Sequence, residues 1–97
     1  MDYVKIDGRT AQVAIAGRYD LCITPKVTEE IKSALRSGCT SVVFDMKDVY
    51  YIDSAAVKDM VEIFRDELGR KNFRVENTTG NVKELFEAMN LDSIWGI

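Results

Sequence analysis

The chain has no histidine, one proline (Pro25) and two cysteines (Cys22 and Cys39) among its 97 residues. Each shortage excludes something. Without histidine there is no histidine-based triad and no histidine metal site. The cysteines show no CxxC spacing and cannot form a disulfide framework, so they read as reduced thiols, as expected of a cytoplasmic protein. A phosphate loop is missing too, since GRTAQVAIAG (8–17) has neither the P-loop nor the dinucleotide spacing. No apolar run approaches the ~18 residues that a membrane span needs. The opening MDYVKIDGRT lacks the charged-then-apolar pattern of a signal peptide. Lysine and arginine are scattered along the chain, leaving no basic stripe for nucleic acid or an anionic membrane.

What is present describes one small soluble domain spanning residues 1–97. Hydrophobic residues make up 46% and charged residues 30%, with a net charge of −3, the balance of an ordinary globular protein. A chain of this length buries roughly 60–68% of its unfolded surface, enough for one core without staples.

The periodicity switches repeatedly along the chain. Residues 2–6 (DYVKI) alternate as a short strand, and Gly8 turns the chain. Ala11, Val13 and Ile15 recur at period two, predicting a second strand over 10–17 that pairs back as a hairpin. Thr24-Pro25 reads as a helix start, with Thr24 as N-cap and Pro25 at the first helical position. Val27, Ile31, Ala34 and Leu35 fill one face of that helix, and Gly38 stops it. The unbroken run Val42-Val43-Phe44 predicts a strand covered on both faces. Val57, Met60, Val61, Phe64 and Leu68 mark a second helix ending at Gly69. Phe73 and Val75 alternate with Arg74 and Glu76 as a half-exposed strand. Asn81 and Glu84 can form a capping box for a third helix carrying Val82, Leu85, Phe86 and Met89. Ile94, Trp95 and Ile97 predict a last short strand. The order is β-β-α-β-α-β-α-β. It calls for an α/β fold with a mostly parallel sheet of four to five strands and helices packed on it.

The most informative stretch is Asp45-Met-Lys-Asp-Val-Tyr-Tyr-Ile-Asp53-Ser54-Ala55-Ala56-Val57. It follows the buried strand and opens the second helix at Ser54. Two roles are open for this serine. It suits an N-cap, since its Oγ can accept a first-turn amide. It also stands where free amides and the positive end of the helix dipole favour a phosphate. Carboxylates are numerous (Asp20, Asp45, Asp48, Asp53, Asp59). Asp45 and Asp53 can converge near the end of the buried strand, and Mg²⁺ needs little more than one or two carboxylates. The plainer reading is a solvated loop and a helix-dipole partner. A phosphate-receiving receiver domain fits poorly, because the paired acids after its first strand are missing and the chain is short for that fold.

These segments, in their order and spacing, resemble the STAS domain, the module of sulfate transporters and bacterial anti-sigma-factor antagonists. The resemblance spans nearly the whole chain. Ile15-Ala16-Gly17-x-x-Asp20 is similar to the family's Gly-Glu-(Leu/Ile)-Asp turn, with Arg18 in place of the glutamate. Val42-Val43-Phe44-Asp45-Met46 … Val49-x-Tyr51-Ile52-Asp53-Ser54 is similar to its apolar strand followed by (Phe/Tyr)-(Met/Ile)-Asp-Ser-(Ser/Thr)-Gly-Leu-Gly. Val82-Lys83-x-Leu85-Phe86-x-x-Met89-x-Leu91 is similar to its third helix. The resemblance implies that Ser54 is phosphorylated by an anti-sigma kinase, and that the unphosphorylated form binds this kinase through Asp20, Asp53, Ser54, Ala55, Ala56 and Lys58. With no histidine, phosphate loop or paired-acid cluster, the chain is expected to have no enzyme activity, cofactor or metal, and a homodimer stays open. Two departures stand out: Ala55-Ala56-Val57-Lys58 replaces Ser/Thr-Gly-Leu-Gly, and the chain stops without the final helix many members carry. The leading expectation is therefore partner switching. The alternative is a STAS scaffold that is never phosphorylated, in a stressosome-like or lipid-transport assembly. A third reading, an acidic metal enzyme, has little in the sequence to support it.

Overall fold

The computed structural model describes residues 1–68 and 72–97. Strands β1 (Val4–Asp7) and β2 (Thr10–Ala14) form the expected antiparallel hairpin. β3 (Gly17–Tyr19) leads to helix α1 (Thr24–Arg36), β4 (Ser41–Asp45) and β5 (Val49–Ile52). Helix α2 (Ser54–Glu62) runs into a π-helical turn (Ile63–Leu68), followed by β6 (Phe73–Glu76), α3 (Gly80–Ala88) and α4 (Leu91–Trp95).

The main sheet has the order β1-β2-β4-β6, with β4 parallel to both of its neighbours. Its internal place explains the Val42-Val43-Phe44 run: Val42 and Phe44 are wholly buried and Val43 half-buried. β6 lies at the edge, and its alternation follows, with Phe73 and Val75 buried and Arg74 exposed. An aromatic column fills the core beside β4 and β6. Tyr19 stacks on Phe44, Phe44 meets Phe73 at 5.5 Å, and Phe73 meets Trp95 at 5.3 Å.

Four expectations need correction. The predicted strand over 10–17 stops at Ala14, and Gly17 begins a separate strand. β3 and β5 pair in parallel as a second, two-stranded sheet with an irregularity between Gly17 and Arg18. Gly17 takes φ +88°, which a side chain would rarely tolerate. Next, residues 91–95 form a helix rather than a strand. Leu91 and Trp95 are the buried residues of this segment, four apart, while Ile94 is exposed, so helical spacing wins over alternation. Third, helix α3 starts at Gly80 with Thr79 at the cap position and no side-chain cap, so the Asn81–Glu84 capping box does not form. Finally, α1 starts at Thr24, with Ile23 at its cap and Pro25 one residue further in than expected. The expected stop at Gly69 lies outside the described residues.

Candidate functional site

Two parallel strands deliver the site. Tyr19 and Ile52 are register partners, and the Asp53 amide extends the ladder by donating to the Tyr19 carbonyl at 3.2 Å. β3 and β5 thus end side by side, and Asp20 and Asp53 leave the sheet together. The carboxyl ends of parallel strands are where α/β folds gather functional groups, since the loops there are free to vary over a rigid scaffold.

Asp20 organises the loop into α1. Its Oδ1 accepts the Cys22 amide at 3.0 Å, and its carbonyl accepts the Ile23 and Thr24 amides, each at 3.0 Å. The Val27 amide, a donor that a Thr24 cap would have taken, goes instead to the Ile23 carbonyl. Asp20 Oδ2 also accepts Arg18 Nε at 3.2 Å, and the Arg18 guanidinium lies 4.1 Å from the centre of the Tyr51 ring.

Asp53 organises the other side, and here the expected role of Ser54 changes. Asp53, with φ −106° and ψ 176°, is the N-cap of α2, and its Oδ1 accepts the Ala56 amide at 3.0 Å. Ser54 is the first helical residue. A carboxylate suits this position better than a hydroxyl because it adds charge at the positive end of the helix dipole. The second oxygen, Oδ2, reaches across to accept the Leu21 amide at 2.9 Å.

Relieved of capping, Ser54 is exposed, and its hydroxyl has no hydrogen-bond partner among the described residues. Lys58, one turn on, is also exposed and in no ion pair among the described residues. Ala55 is half-buried and Ala56 wholly buried, so Ala56 seats the helix on the core and offers no outer surface. The structure therefore brings Asp20, Asp53, Ser54 and Ala55 to one end of β3 and β5, with Lys58 on the helix that starts there.

Sequence reasoning missed the exposed apolar side chains of the segments that meet here. Leu21 is 67% exposed, Tyr50 65% and Tyr51 40%. Val49 and Ile52 face inward while the two tyrosines between them are exposed, a four-residue pattern too short to read as alternation. Tyr19 lies behind the face. Burial, followed by the charges of Asp59 and Asp53, raises its phenol well above the ordinary value, so it stays neutral. Its hydroxyl lacks a hydrogen-bond partner among the described residues.

The suggested meeting of Asp45 and Asp53 does not give a metal site. Asp45 accepts from Asn77 Nδ2 at 3.0 Å and from the Lys47 amide at 3.1 Å, and these bonds hold its carboxyl below the usual range. Asp53 is committed to Leu21 and Ala56. Among the described residues no group of three or more histidine, cysteine or carboxylate side chains is placed to hold a metal ion. Nor is any described helix long and apolar enough to cross a membrane.

A family model described as "Mlab, STAS domain" matches residues 3–96. The chain belongs to the STAS family. Solved structures with the same fold include an anti-sigma factor antagonist from Mycobacterium paratuberculosis, 18% identical, with a TM-score of 0.80 over 95% of this chain and 79% of that one. The anti-sigma factor antagonist SpoIIAA in its unphosphorylated form is 20% identical, with a TM-score of 0.82 over 95% of this chain and 82% of that one. The phosphorylated form of the Bacillus cell fate determinant SpoIIAA is 16% identical, with a TM-score of 0.75 over 95% of this chain and 85% of that one. No curated protein matches the sequence significantly. At these identities the likeness to the solved structures is one of fold. In this STAS domain, the segment expected to be a Gly-Glu-(Leu/Ile)-Asp turn is β3 itself, with Asp20 the residue after it.

Proposed function

We propose that this STAS domain is a regulatory protein-binding module resembling an anti-sigma-factor antagonist. In this reading it binds an anti-sigma serine kinase in the cytoplasm through the face around Asp20, Asp53 and Ser54. Phosphorylation of Ser54 then breaks the complex. The observation that carries the reading is the exposed Ser54 hydroxyl at the start of α2, without a hydrogen-bond partner among the described residues, with the capping role taken by Asp53. A kinase needs such a hydroxyl, and a helix start receives the product. Leu21, Tyr50 and Tyr51 supply apolar area of the kind that anchors protein interfaces. A phosphate adds roughly −1.5 to −2 charges at neutral pH. On an exposed helix start that charge is tolerable. In a closed interface next to Asp53 it brings repulsion and desolvation, which expel the partner.

The test is co-precipitation of candidate anti-sigma kinases with wild type, Ser54→Ala and Ser54→Asp. Ser54→Ala is expected to bind as wild type does, and Ser54→Asp far more weakly. A second reading, an unphosphorylated scaffold subunit, draws support from Ala55-Ala56-Val57-Lys58. These residues build a firm helix start where glycines would let a partner's backbone come close. Equal binding by all three proteins selects that reading.

A further inference from the structure

The Asp53 carboxylate joins two elements that are far apart in sequence. Oδ1 accepts the Ala56 amide inside α2, and Oδ2 accepts the Leu21 amide in the loop between β3 and α1. Both acceptors are in use, which specifies a carboxylate rather than an amide. An asparagine would aim an NH₂ group at one of two N–H donors and lose that bond. The Leu21 side chain is 67% exposed, so the amide bond holds in place the backbone of a large apolar group on the binding face.

We infer that Asp53 couples Ser54 to the β3–α1 loop: a phosphate on Ser54 displaces the Asp53 carboxylate from its two amides and so releases Leu21. The inference rests on the proposed phosphorylation of Ser54 and names how that modification is transmitted. Ser54 is the residue after Asp53, and the amides of the first turn of α2 are the nearest donors for its phosphate. One of them, Ala56 N–H, is the amide that Asp53 Oδ1 now occupies. A dianionic phosphate is the stronger acceptor, and it repels the adjacent carboxylate. The Leu21 amide bond is exposed to water, so nothing else shields it once the carboxylate moves. Asp20 still holds the Cys22, Ile23 and Thr24 amides, so the loop does not unravel; Leu21 alone is freed. Phosphorylation then acts twice, by adding charge and by altering how Leu21 is presented. Asp53 is a positioning residue in this scheme.

The test needs no kinase. The 97-residue chain is made by ligation at Cys39 with either serine or phosphoserine at position 54, and amide hydrogen exchange is followed by NMR. The expected result is that exchange at the Leu21 amide speeds up by about tenfold or more on phosphorylation, the size of losing a charged hydrogen bond, while the amides of β4 are unchanged. Unchanged or slowed exchange at Leu21 overturns the inference. Asp53→Asn in the unphosphorylated protein gives an independent check. Faster exchange at either Leu21 or Ala56 is expected, and no change at either amide also overturns it. Failure of a kinase to modify Ser54 bears on the proposed function and leaves these outcomes untouched.

Discussion

Glu30 shows how much one side chain can fix. It is a buried carboxylate on α1, and its Oε1 accepts the amides of Tyr3 at 2.9 Å and Val4 at 3.1 Å, pinning the first strand to the helix. Burial pushes its carboxyl up, but the amides of Tyr3, Val4 and Asp2 bring it below the ordinary glutamate value. A depressed folded-state value stabilises the native protein above the unfolded-state pKa, and the gain is lost as pH falls below the ordinary glutamate value and through the folded one. Glu30→Gln is therefore expected to lower stability by about 1–2 kcal/mol near neutral pH. The gap to wild type should close in acid, as read from urea midpoints across pH. A gap that does not change with pH would contradict this. At Phe44 the issue is packing. The ring is wholly buried between Tyr19 and Phe73, so Phe44→Ala should cost about 3–5 kcal/mol. A loss under ~1 kcal/mol would show that β4 is not the centre of the core.

Among the elements, the start of α2 separates capping from signalling. Because Asp53 is the cap, Asp53→Ala should destabilise the fold by about 1 kcal/mol, whereas Ser54→Ala should stay within about 0.5 kcal/mol of wild type. Chemical denaturation of the two variants decides it, and the reverse ranking would restore Ser54 as the cap. The sequence alone suggested that Ser54 both caps and signals, since serine and aspartate are both good caps and stand side by side. Strong local signals were legible: the Val42–Phe44 run, the helical stripe of α1, and the hairpin turned at Gly8. β3 and β5 were not, because three and four residues are too few for a period to declare itself. They nevertheless build the site, bringing Asp20 and Asp53 together. The segment after Leu91 misled for a similar reason. Ile94, Trp95 and Ile97 look strand-like, but the spacing that buries Leu91 and Trp95 is helical.

For the whole molecule, a four-stranded sheet and its helices hold one end of a two-stranded sheet open to solvent. That end carries a serine whose hydroxyl has no hydrogen-bond partner among the described residues, two structural aspartates and the exposed Leu21, with Tyr50 and Tyr51 exposed on β5. An exposed hydroxyl beside exposed apolar side chains suits binding and modification. Purified protein is expected to show no nucleotide or phosphoester hydrolysis that follows it through purification; activity that does co-purify would contradict this. The most direct measurement of the central claim is phosphosite mapping by mass spectrometry. The protein would be incubated with ATP and each anti-sigma-type serine kinase of its source genome. The account predicts a single phosphate on the peptide containing Ser54, absent in Ser54→Ala. No phosphate on that peptide with any of these kinases, or phosphate at another serine with Ser54 untouched, would contradict it.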